Sequence, residues 1–107
     1  MMLHPITRIR PRIRKSRCYE LCGRYQLGDV SWTLVHGSVQ EEHRLRIDHA
    51  WLKRDGWVYD AVLDRSFPEL TYLHKFAAVE VATFSPEEAA RRMVETGHHG
   101  PWRERPS

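Results

Sequence analysis

Apolar positions recur at three- and four-residue spacing through Cys18, Leu21, Cys22 and Tyr25, which predicts an amphipathic helix from Ser16 to Leu27. Ser16 stands where a cap belongs, Glu20 lies in the early turns, and Gly28-Asp29 stops the helix. Trp32 to Val39 then changes to β-branched and aromatic residues and reads as a strand. Leu45 to Lys53 and Trp57 to Val62 are two further strands, and the Asp55-Gly56 between them is a hairpin signal. Asp64 to Glu69 has loop composition, Leu70 to Lys75 is ambiguous, and Ala78 to Phe84 is again strand-like. Ser85-Pro86-Glu87-Glu88 has the form of a capping box with proline at the first helical position. It predicts a helix over 86–96 that ends at Gly97.

These elements predict an α+β fold: an N-terminal helix packed on a small antiparallel sheet of three to five strands, closed by a C-terminal helix. At 107 residues the chain has room for one core, with 41% hydrophobic and 29% charged residues excluding collagen-like, coiled-coil and wholly disordered classes. The expected organisation is a basic arm over residues 1–15, one domain over 16–97 and a tail over 98–107, with Trp102 available to dock back on the body. No apolar run is long enough to cross a bilayer, and no secretory signal is recognisable, so a cytoplasmic protein with reduced cysteines is expected.

The formal charge of +3 divides unevenly, because residues 1–17 carry +6 with no acid and the remainder is left at −3. Arg8, Arg10, Arg12, Arg14, Lys15 and Arg17 are therefore the residues with which the chain would touch nucleic acid or an acidic partner. No aromatic residue is interleaved among them for base stacking, and Ile6, Ile9 and Ile13 suit a partly packed leader equally well.

The hairpin carries the candidate chemistry. With a loop of Lys53 to Gly56, Leu52 pairs with Trp57 and His49 falls opposite Asp60. With a loop of Asp55-Gly56 alone, the two are diagonal neighbours on one face. Either even-length loop brings imidazole and carboxylate together on the face that also carries Trp51, Lys53, Val58 and Val62, and an odd-length loop separates them. A carboxylate beside a histidine fixes the ring's tautomer and stabilises its protonated form, as the third member of a catalytic triad does. The nucleophile to complete such a site is Cys18, whose expected place near a helix N-terminus favours the thiolate, and backbone N–H groups there would serve an oxyanion. Cys22, one turn on, reads as a buried packing thiol.

Cys18 in Arg-Cys-Tyr-Glu-Leu, His49 in Asp-His-Ala-Trp-Leu and Asp60 in Gly-Trp-Val-Tyr-Asp-Ala-Val together resemble the core of transglutaminase-like proteins, within the papain-like cysteine-enzyme superfamily. The resemblance covers residues 16–64. It implies Cys18 as nucleophile, His49 as general base and acid and Asp60 as orienting carboxylate, in a thiol-dependent hydrolase or acyltransferase acting on a peptide, protein or small amide. His36 and Trp51 are the expected substrate-side residues, and Gly37 marks a bulge or a close backbone approach. No cofactor is expected. A metal is not expected either, since Cys18, Cys22, His98 and His99 lack the spacing that organises a zinc site. The alternative is a non-enzymatic interaction module, such as a small phage or bacterial accessory protein, that works through its basic arm.

Overall fold

The computed structural model describes residues 11–102, with side chains from Arg17 onward. Three helices and five strands follow in the order α1 (Pro11–Gly28), β1 (Thr33–Val39), β2 (Ile47–Arg54), β3 (Trp57–Asp60), β4 (Arg65–Pro68), α2 (Glu69–Lys75), β5 (Val79–Phe84) and α3 (Pro86–Thr96). The chain is an α+β protein, its strands forming one antiparallel sheet in the order β4-β3-β2-β1-β5. Residues 1–10 of the basic arm lie outside the described residues.

The first helix begins at Pro11, five residues before the expected cap at Ser16. Proline is favoured in a first helical turn, where its missing N–H costs nothing, and the Arg-Ile-Arg-Lys run after it propagates a helix well. The basic segment therefore enters the domain's first helix instead of ending as an arm at residue 15. The buried face of α1 is Cys18, Tyr19, Cys22 and Gln26, whereas Tyr25 is largely exposed. Gln26 explains its own burial: its Nε2 donates to the carbonyls of Trp32 at 3.1 Å and Phe84 at 3.0 Å, tying the end of α1 to the start of β1 and the end of β5.

The β2–β3 turn contains Asp55-Gly56 alone. Both residues have positive φ, 50° and 81°, as a two-residue turn matching the strand twist requires. Arg54 pairs with Trp57, Lys53 with Val58 and Leu52 with Tyr59. β3 then stops at Asp60, two residues short of the expected end, because the Asp60 Oδ1 accepts from the backbone N–H groups of Val62 at 3.0 Å and Leu63 at 3.1 Å and bends the chain away. The stretch with loop composition forms β4, whose proline sits at the outer end of an edge strand, and Leu70 to Lys75 becomes helical in α2. The capping box of α3 is present in full, with Glu88 N to Ser85 Oγ at 3.2 Å and Ser85 N to Glu88 Oε1 at 2.9 Å.

Helices cover both faces of the sheet. On one, Cys18, Tyr19 and Cys22 of α1 pack with Leu34, Ala50, Leu52 and Phe84, joined by Ala89 of α3 and by Trp102. On the other, Tyr72 of α2 packs with Val35, Trp51, Val58 and Phe67. Trp102 is held over the first face by its own indole, whose Nε1 donates to the carbonyl of His98 at 2.9 Å. No helix among the described residues is long and apolar enough to cross a membrane.

Candidate active site

His49 and Asp60 meet as diagonal neighbours, His49 Nε2 lying 2.9 Å from Asp60 Oδ2 with both side chains buried. The two-residue turn sets this parity. The β2–β3 ladder ends at Leu52 and Tyr59, so the carboxylate stands just past the last pair, where the strands part. Every acceptor site of Asp60 is in use. Its Oδ2 also takes a 2.6 Å hydrogen bond from Tyr72 Oη, and its Oδ1 takes the two backbone N–H groups of the turn. Burial disfavours the carboxylate's charge. The bond and charge of His49 and the donors Tyr72 and Leu63 outweigh it and hold the group below its ordinary range.

Cys18 supplies the third side. Its sulfur is hydrogen-bonded to the imidazole of His49, for which Nδ1 is the ring nitrogen not turned to Asp60. Burial opposes protonation of His49, but hydrogen bonds to Asp60 and Cys18, together with the charges of both, push its pKa up to about 10. At neutral pH the ring is an imidazolium between a carboxylate and a sulfur. Cys22 differs: burial, then the charges of Cys18 and Asp60, raise its pKa well above the ordinary thiol value and keep it protonated.

Three expectations are corrected. Cys18 is the eighth residue of α1, not one of its first, so its N–H bonds within the helix. The positive end of the helix therefore neither acts on its sulfur nor offers an oxyanion site beside it. Trp51, expected on the substrate side, is fully buried and packs on Tyr72 in the core, because its side chain points into the face that α2 covers. His36, the other expected substrate-side residue, pairs with Ala50 while His49 pairs with Gly37, and it lies beneath Trp102, ring centroids 5.0 Å apart. Burial alone pushes its pKa down to about 4, and neither ring nitrogen has a hydrogen-bond partner. Gly37 does mark a bulge, since the β1–β5 register shifts between His36 and Gly37. A side chain there would collide with the Val79 carbonyl and the Trp51 ring.

The site is closed. Cys18 is 0% exposed, and the cavity touching His49 and Asp60 is about 30 Å³, with room for one water. Its rim includes Glu41, from the exposed 40–46 loop. Tyr72 is the participant that sequence reasoning missed. It is the single buried residue of a seven-residue helix, too short to show periodicity, and only the register of β3 brings Asp60 to its hydroxyl. No group of three or more His, Cys, Asp or Glu residues suited to a metal occurs among the described residues.

Comparison of the chain with protein-family models, with curated proteins and with solved structures gives no match. The site is therefore defined by its own geometry: a buried cysteine, histidine and aspartate joined in one hydrogen-bonded row on an α+β scaffold.

Proposed function

We propose that the protein is a thiol-dependent hydrolase or acyltransferase acting on a peptide, protein or small amide, with Cys18 as nucleophile. The observation that carries this reading is the row Cys18, His49, Asp60, in which one imidazole bonds both the sulfur and a fully satisfied carboxylate. The order of helix, strand and strand on which these residues lie is in keeping with a papain-like or transglutaminase-like core. The Cys18 thiolate attacks the carbonyl carbon, forming a C–S bond. Collapse of the tetrahedral adduct expels the amine, which takes the proton from the His49 imidazolium. His49, then neutral, accepts a proton from the water or amine that attacks the thioester, and the released thiolate completes the cycle. Asp60 keeps the ring oriented and its charge compensated throughout. Access requires the cavity at His49 to widen, and the exposed 40–46 loop is the element placed to do so.

Iodoacetamide labelling read by mass spectrometry tests the reading. Cys18 should alkylate at neutral pH and Cys22 not at all, with labelling abolished in Cys18→Ala and made slow in His49→Ala. Equal, slow labelling of both thiols would remove the nucleophile. Complete burial of Cys18 favours the second reading, a non-enzymatic interaction module in which the row is structural. In that case labelling stays slow and residues 8–17 carry a salt-dependent affinity for nucleic acid or an acidic protein.

A further inference from the structure

A groove of about 560 Å³, bordered by Tyr19, His36, Asp48, Val81, Ala82 and Trp102, runs beside β5, one of the two edge strands of the sheet. That volume is within the range of about 300–1,000 Å³ usual for ligand sites. Two observations made independently point to an occupant. His36 is 4% exposed, borders the groove and leaves both ring nitrogens without a hydrogen-bond partner, a state buried polar groups rarely keep. Beside it, β5 runs Val-Glu-Val-Ala-Thr-Phe, with Val79 51% and Val81 75% exposed, and its only interruptions are Glu80 and the extra residue at Val81. Among the described residues no strand pairs with the outer side of β5, and no backbone hydrogen bond outside the sheet engages its residues.

We propose that β5 and the His36 groove together form a docking site for an extended polypeptide segment of another molecule, which adds as a sixth strand and lowers one side chain toward His36. An open strand edge presents N–H and C=O groups that an extended peptide complements, here on either side of the extra residue Val81. The register shift at His36/Gly37 lies at the same level, so the edge is locally irregular where the groove opens. The orphaned imidazole at the groove border selects for a neutral hydrogen-bonding side chain. The site goes beyond the thiol chemistry and does not require it.

The test titrates the full chain, as wild type and as Cys18→Ala, with capped heptapeptides of alternating Thr and Val whose central residue is varied. Tryptophan fluorescence and amide hydrogen exchange are followed. Saturable binding tighter than about 1 mM is expected, with a central Asn, Gln, Ser or Thr preferred over Leu by about tenfold and slowed exchange confined to residues 79–84. Both proteins should bind alike, which separates this site from the fate of Cys18. Twins N-methylated at alternate residues should bind at least about tenfold more weakly, as should wild-type peptides to Val81→Lys, an exposed position where folding is not at stake. In His36→Leu the central preference should reverse. The proposal is overturned if no peptide of the set binds, or if N-methylated twins bind equally. A concentration-dependent dimer abolished by Val81→Lys, without peptide binding, would assign the edge to a second copy of the chain and also overturn it.

Discussion

His36 on β1 and His49 on β2 are both buried, at 4% and 8% exposure, yet one is pushed down to about 4 and the other up to about 10. Burial works against the imidazolium in both places. Around His36 are the rings of Tyr19, Phe84 and Trp102, which offer no compensating acceptor, so the neutral form wins. Around His49 are a carboxylate and a sulfur, and the charged form wins. The same residue in two buried places thus takes opposite charge states, and the deciding difference is the pair Asp60 and Cys18, of which the aspartate is delivered by the parity of a two-residue turn.

The largest break in this comparison is Asp60→Asn. It leaves the His49 charge without its partner and should cost about 3–5 kcal/mol in denaturant unfolding, the usual consequence of stripping a buried ion of its counterpart. The His49 ring should then titrate well below 10, toward the behaviour of His36, as followed by NMR. Because the folded pKa of His49 lies above its ordinary 6.5, its contribution to stability is complete below 6.5 and fades as pH rises through about 10. That alkaline loss should disappear in Asp60→Asn, and if it persists another group is responsible. Next in size, Tyr72→Phe removes one donor to the carboxylate and should cost about 1.5–3 kcal/mol. A neutral outcome would mean that the 2.6 Å contact contributes nothing.

His36→Leu should change stability in the other direction, a gain of about 1 kcal/mol at neutral pH from removing two unpaired polar atoms. Its pH signature is also opposite. With the folded pKa below the ordinary value, the contribution of neutral His36 is present above 6.5 and lost as pH falls toward 4, so the variant should lose that part of its acid sensitivity. Thermal melts from pH 4 to 7 measure this, and a destabilised variant with unchanged slope would contradict it. Cys22→Ala should have an effect of similar size, a loss of about 1 kcal/mol of packing. Cys18 alkylation should be unchanged, which sharpens the contrast between the two thiols.

Much of this was legible in the chain. Asp-Gly between two β-rich runs marked the hairpin, and either even-length loop it allowed brings His49 to Asp60, the structure choosing the two-residue one. Ser-Pro-Glu-Glu marked the start of α3, and both signals were readable because they are decided by neighbours in sequence. The start of α1 was not, since Ser16 is a good cap and yet Pro11 is also a good first-turn residue, and local preference cannot rank two adequate starts. β4 has loop composition and exists because β3 offers it an edge. The burial of His36 depends on Trp102 folding back from the tail, a contact between residues far apart in the chain that no periodicity foretells.

Gly37 carries a consequence for finding relatives. With only a hydrogen where any other residue has a carbon, it lets the Val79 carbonyl and the Trp51 ring close on β1. In a saturation library this position should tolerate almost nothing else, so distant homologues are better sought by the joint occurrence of that glycine with Cys18, His49 and Asp60 than by overall similarity.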